Sequence, residues 1–141
     1  MGDIFVGIKK VLVSGIPAGI AMWVVSFLVD AVIQVLWAFD IFSIPGIRSV
    51  NDPLMVLFLL YPILFGIIMA AVYHAVKPLL KGSWMKNGQQ FGVMVWLLNG
   101  FTSGFIVFSS MNYPFGFNVS AFLGSFVSIL AGSLVLAKMN R

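Results

Sequence analysis

Four long apolar stretches, separated by short polar connections, account for nearly all of the chain. They cover approximately residues 11–38, 54–76, 91–110 and 119–137. An α-helix rises about 1.5 Å per residue, so about 20 residues cross the hydrocarbon of a bilayer, and each stretch is long enough to do so. The pattern predicts an all-α integral membrane protein: a four-transmembrane-helix bundle in which residues 1–141 form a single membrane domain.

The composition agrees with this class and narrows the chemistry. Hydrophobic residues make up 61% of the chain and charged residues 9%, whereas soluble proteins are about half apolar and a quarter charged. The chain has no cysteine and no glutamate, and it has one histidine and four aspartates. These residues supply neither a thiolate nucleophile nor enough ligands for a closed metal site. We therefore expect no enzyme activity, no cofactor and no metal site.

The basic residues predict the orientation of the chain. Seven of the eight lysines and arginines lie before the first stretch, after the second or after the fourth, and Arg48 is the exception. The positive-inside rule then places both termini and the connection between the second and third stretches in the cytoplasm. Orientation alone accounts for these charges, so we expect no nucleic-acid partner. We predict that the protein lies in the plasma membrane of a prokaryotic cell.

Small and polar residues form a seam along each predicted helix. At about 100° per residue, the members of each set fall on one side of the helix. Small residues let helices approach closely, so we expect the seams to face the bundle interior and residues such as Phe126 and Leu130 to face lipid. The seams are Gly15, Gly19, Ser26, Asp30 and Gln34; Pro62, Gly66, Ala70 and His74; Gly92, Asn99, Ser103 and Ser110; and Ala121, Ser125, Ser128 and Gly132.

Five polar residues in or beside these seams are candidates for either helix packing or a polar path. They are Asp30, Gln34, Asn99, Ser103 and His74. Asn99 is the strongest candidate for a path, because it lies near the middle of the third stretch. Buried amides and hydroxyls also hydrogen-bond between helices, so the same residues fit a packing role.

Two registers of the first helix give Asp30 different meanings. If the span begins at Lys10, Asp30 lies about 30 Å further along, at the outer headgroups. It is then free to pair with Arg48, and residues 31–39 continue as a helix along the outer surface. If the span begins near Pro17, Asp30 lies inside the hydrocarbon at a cost of about 2.5–3.5 kcal/mol. The second register requires a cytoplasmic surface helix with one face formed by Ile4, Phe5, Ile8, Val11 and Leu12. We favour the first register because it avoids that cost.

Two functional classes fit this sequence. One is a small integral-membrane subunit or scaffold of a larger membrane complex, with no chemistry of its own. Its partners are the lipid bilayer and other integral-membrane subunits or further copies of the chain. The alternative is an oligomeric channel or carrier for a small ion or solute, which the polar seams, Pro62 and Asp30 would serve.

Overall fold

Four long helices build the protein. A computed structural model describes the backbone of residues 2–141 and the side chains of residues 7–141. The helices are α1 (Gly2–Leu36), α2 (Met55–Val76), α3 (Trp84–Ser110) and α4 (Phe115–Met139). Helix accounts for 81% of the structure, the described residues form no strand, and all four helices are long and apolar enough to cross a membrane. The predicted all-α fold is confirmed, while the sides on which the termini lie stay a prediction.

Three of the helices, α1, α3 and α4, extend beyond the apolar stretches that predicted them, and α1 begins at Gly2 rather than at 11. Helix α3 begins at Trp84 rather than at 91, because the Ser83 hydroxyl accepts the Lys86 N–H at 3.4 Å and caps the helix. Helix α4 begins at Phe115, directly after Pro114. Capping residues and prolines set where a helix begins, whereas hydropathy shows only which part of it is apolar.

Helix α1 is continuous, and this corrects the second register of the sequence analysis. It runs through Pro17 without a break, so no separate surface helix ends before that proline. Helix α2 likewise continues through Pro62. The side chains of Ile4 and Phe5, which the surface helix would have used, lie outside the described residues.

The four helices lie side by side in the order α2, α1, α4, α3. Helix α1 packs against α2 and α4, and α3 packs against the other side of α4. We call the end that carries seven of the eight basic residues the basic end, and the opposite end the loop end. Near the basic end, α2 and α3 meet through the buried rings of Tyr73 and Phe91, whose centroids are 5.1 Å apart. The core, which also includes Met22, Met69 and Leu136, lies in this half of the bundle.

Glycines allow α1 and α2 to cross in backbone contact. A Cβ atom on Gly66 would lie 2.5 Å from the Gly15 carbonyl oxygen and 2.5 Å from the Gly19 nitrogen. A Cβ atom on Gly15 would lie 2.6 Å from the Ile67 Cα atom. Real Cβ atoms do not approach backbone this closely, so larger side chains would force the helices apart.

A π turn in α3 changes which residues face the neighbouring helix. The turn spans Trp96–Phe101. Its i→i+5 hydrogen bonds add one residue to the turn, so the residues that follow are rotated by about 100°. Gly100 and Gly104 are buried as a result, and Asn99 and Ser103 are exposed.

Helix α4 has a π turn at Ser120–Gly124, with the same consequence. Towards the loop end the buried positions are Gly116, Asn118 and Ser120, whereas Ala121, which the uniform periodicity placed in the seam, is only half-buried. The two π turns contact each other across the α3–α4 interface. Seams drawn at constant periodicity therefore fail on the loop-end side of each turn.

The prediction that Phe126 and Leu130 face lipid is wrong. The Phe126 ring lies 5.0 Å from the Trp96 ring, centroid to centroid. The Leu130 side chain lies against Gly92, with its Cδ2 atom 2.9 Å from the position that a Cβ atom on this glycine would take. Both residues are half-buried, because α4 has neighbours on two sides, α1 and α3.

The glycine crossing predicts that Gly66→Ala destabilises the protein. The added methyl group has no room against α1, and overpacking of this kind costs about 1–3 kcal/mol. The matched control is Gly124→Ala, because the nearest atoms to a Cβ there are 3.8 Å away. Thermal unfolding in a mild detergent should show a lower midpoint for Gly66→Ala alone, and equal midpoints would refute the close crossing.

Candidate functional site

Asp30 has a partner inside the bundle, at the interface between α1 and α4. The Ser120 hydroxyl donates a hydrogen bond to Asp30 Oδ1. Ser120 is buried and Asp30 half-buried. Gly124 leaves space beside the pair, since Asp30 Oδ1 lies 3.9 Å from the position that a Cβ atom on this glycine would take. The hydroxyl comes from the π turn of α4, so the local geometry of that turn positions the donor.

The distance of the Asp30–Ser120 pair from the basic end can be counted along either helix, and the two values agree. Lys10 and Asp30 are 20 residues apart on α1, which corresponds to about 30 Å. Lys138 and Ser120 are 18 residues apart on α4, or about 27 Å. Both distances are close to the thickness of a bilayer's hydrocarbon core, about 30 Å. The position of Asp30 relative to a membrane stays a prediction.

Gln34, one turn beyond Asp30, bonds to the loop between α1 and α2 (residues 37–54). We call it the outer loop after its predicted side of the membrane. Its amide nitrogen donates to the Phe39 carbonyl at 2.8 Å, and its amide oxygen accepts the Phe39 N–H at 3.1 Å. The Phe39 ring packs edge-to-face on Phe117 of α4, with centroids 5.9 Å apart. Gln34, near the end of α1, therefore holds the first part of this loop against the start of α4.

Arg48 pairs with a different carboxylate from the one predicted. Its guanidinium lies 2.8 Å from Asp52 Oδ2, and Asp52 Oδ1 accepts the Leu54 N–H at 2.9 Å. The hydrogen bond from Arg48, followed by that from Leu54, holds the pKa of Asp52 below its ordinary value. The Asp30–Arg48 pair that the first register allowed does not form. Asp52 lies four residues from Arg48 in the same loop and binds its guanidinium instead.

An aromatic cluster with one internal hydrogen bond fills the space between the two π turns. The Trp96 indole N–H donates to the Ser125 hydroxyl at 3.1 Å, and that hydroxyl donates to the Phe122 carbonyl at 3.0 Å. The Phe101 ring lies 5.7 Å from Trp96 and 6.2 Å from Phe122. Buried indoles usually find such a partner. This contact could not be predicted, because hydropathy does not distinguish a tryptophan between helices from one at the membrane surface.

Asn99 and Ser103 lie on the exposed face of α3, turned away from α4. Within the described part of the chain, the Asn99 side chain makes no hydrogen bond. Thr102, on the same face, bonds to its own helix, with its hydroxyl 2.6 Å from the Leu98 carbonyl oxygen. The Asn99 amide is thus available to a group outside this chain.

His74 lies at the basic end. Its Nδ1–H donates to the Ala70 carbonyl at 2.8 Å, and its ring lines an open cavity together with Lys10 and Lys77. The five candidate residues are therefore distributed over three places: Asp30 and Gln34 in the loop-end half, Asn99 and Ser103 on the outer face of α3, and His74 at the basic end. Among the described residues, no three His, Cys, Asp or Glu side chains are grouped as a metal site would require.

The chain matches no protein-family model, no curated protein and no solved structure. Its function therefore has to be inferred from its own residues.

The Asp30–Ser120 contact predicts that Ser120→Ala destabilises the protein. Removing the hydroxyl leaves a half-buried carboxylate without its donor, at a cost of about 1–3 kcal/mol. Ser109→Ala is the control, because this exposed hydroxyl bonds only to the Ile106 carbonyl of its own helix. Thermal unfolding should be lowered by the first substitution and nearly unchanged by the second.

A double-mutant cycle separates the pair from general packing. In an Asp30→Leu background, Ser120→Ala should have little further effect. An undiminished effect there would show that Ser120 stabilises the fold without Asp30.

Proposed function

We propose that this protein is a small integral-membrane subunit or scaffold, which acts by packing against other membrane helices and performs no chemistry of its own. The observation that carries this proposal is the Asn99 amide, exposed on α3 without a partner in the described chain. The proposal includes the orientation predicted from the basic residues, with both termini in the cytoplasm.

The height of Asn99 makes its exposure costly in a membrane. It lies 15 residues after Trp84 and 11 before Ser110, or about 22 Å and 17 Å along the axis. The amide would therefore face hydrocarbon near the middle of the bilayer. Leaving such a group without a hydrogen bond costs about 1–3 kcal/mol, so a helix that supplies a donor and an acceptor would bind there favourably.

The rest of this face suits a helix partner. Ser103 gives a close-approach position, and Leu98, Phe105 and Ile106 expose 73%, 57% and 61% of their surface. The glycines of this segment, Gly100 and Gly104, are already used against α4. One face of α3 thus packs against α4 of the same chain, and the opposite face is left for a neighbouring subunit.

The first turns of α2 add a second free surface in the same half of the bundle. The side chains from Val56 to Tyr61 are exposed on every side of the helix. Farther along, α2 is held by its crossing with α1 at Gly66. The loop-end halves of α2 and α3 are therefore available to partner subunits, whereas the half towards the basic end contains the buried core.

The alternative is an oligomeric channel or carrier. Two observations favour it: the Asp30–Ser120 pair lies at a helix interface, and π turns, which are frequent at functional sites, occur side by side in α3 and α4. Copies joined through the Asn99 face would bring four or more π turns into one assembly. In this case Asp30 would supply the titratable or ion-binding oxygen.

The subunit proposal predicts that Asn99→Leu weakens association without unfolding the chain. The lost interhelical hydrogen bonds correspond to about 5- to 30-fold weaker binding. Asn51→Leu is the matched control, since it removes an exposed asparagine from the outer loop. Co-purified partners and oligomer size, measured in mild detergent, should change for Asn99→Leu only. Wild-type protein that is monomeric and without partners in native membranes would refute the proposal.

The carrier alternative predicts flux that depends on Asp30. Partner-free protein in proteoliposomes should carry an ion or solute, and Asp30→Asn should abolish this flux with the fold intact. A subunit without transport activity should show no flux in either form and should keep its partners in both. The paired measurement of flux and co-purification separates the two functions.

A further inference from the structure

Three basic residues from three separate parts of the chain converge on one cavity at the basic end. Lys10 of α1, Lys77 at the end of α2 and Arg141 after α4 line an open cavity of about 320 Å³. Among the side chains of residues 7–141, no carboxylate lies within 4 Å of any of the three, since the ion pair that these residues form is Arg48–Asp52. The cavity therefore concentrates positive charge that the described chain does not neutralise.

A second cavity, of about 360 Å³, adjoins the first and shares Lys77, Asn140 and Arg141 with it. Its wall includes Trp84, and the Arg141 guanidinium carbon lies 5.5 Å from the centre of this ring. The Lys138 ammonium lies 5.9 Å from the same ring. Cation–π contacts of this kind hold a guanidinium in place while leaving its N–H groups free to bind an anion.

We propose that the Lys10–Lys77–Arg141 cavity binds a phosphate group, and that an anionic lipid headgroup is the source that its lining favours. Lysine and arginine are the usual ligands of phosphate oxygens, and the guanidinium can bind two of them at once. The buried Ser14 and the half-buried His74 add polar groups to the wall. Val13 and Met139, exposed by 55% and 46%, form an apolar edge that an acyl chain can cover.

This site is separate from the surface proposed to bind other subunits, because the Asn99 face lies on the loop-end side of α3. The positive-inside rule alone does not explain why these three basic residues lie together. Lys9, Lys81 and Lys86 serve the positive-inside rule equally well, yet they are not among the residues that line either cavity. Phosphate affinity should therefore depend on the three residues of the cavity and not on Lys9, Lys81 and Lys86.

The test compares two triple variants with the same net charge. One carries Lys10→Gln, Lys77→Gln and Arg141→Gln, and the control carries Lys9→Gln, Lys81→Gln and Lys86→Gln. Calorimetric titrations in an uncharged detergent use short-chain phosphatidylglycerol, short-chain phosphatidylcholine and inorganic phosphate as separate probes. At about fivefold per basic group, the cavity variant should bind the anionic probe on the order of 100-fold more weakly, and the control less than about threefold.

The probes identify the source of the phosphate. Binding of phosphatidylglycerol but not of inorganic phosphate supports the lipid headgroup, and binding of inorganic phosphate supports the site with a soluble ligand as its source. Equal weakening by the two triple variants, or no binding of either anionic probe to the wild type, would overturn the proposal.

A measurement on the wild-type protein keeps the test valid if the cavity variant does not fold. Saturating phosphatidylglycerol should protect Lys10 and Lys77 from an amine-reactive reagent, as read by mass spectrometry. Lys9 and Lys81 should react as before. Equal protection of all four lysines would show diffuse attraction and refute a defined site.

Discussion

The extra residue in each π turn decides which side chains meet inside this protein. In α4 it brings Ser120 towards α1, where the hydroxyl bonds to Asp30. In α3 it turns Gly100 towards α4 and Asn99 outward. With ordinary α-helical periodicity these assignments would shift by one residue, or about 100°. The Asp30–Ser120 hydrogen bond therefore depends on the π turn of α4, and the exposure of the Asn99 amide depends on the π turn of α3.

Packing divides the bundle into two unlike halves. At the basic end, Tyr73 and Phe91 join α2 to α3 within the buried core. At the loop end, α1 and α4 stay together through Asp30–Ser120 and the aromatic contacts of the outer loop, while the outer helices expose their side chains. Internal contacts thus stabilise one half, and the other half leaves helix surfaces exposed. This division supports an assembly role more directly than a path enclosed within one chain.

Hydropathy and length predicted the four helices because each span must satisfy its own backbone and be apolar over about 20 residues. The helix faces were predicted less well, because the π turns in α3 and α4 are not visible as a change in composition. The partner of Arg48 was wrong because a carboxylate four residues away competes with Asp30. The convergence of Lys10, Lys77 and Arg141 could not be predicted, since it depends on how three helix ends pack together.

The order of the helices has a consequence for how the protein is made. The two central helices, α1 and α4, are the first and the fourth of these helices in chain order, and 90 residues separate Asp30 from Ser120. Helix α1 can meet α2 at the glycine crossing as soon as both have been made, but the Asp30 carboxylate has no hydroxyl donor until α4 has also been synthesised. A chain truncated before α4 would lack the element that both α1 and α3 pack against. The hydrogen bond of Asp30 therefore forms only after α4 has been made and has packed against α1.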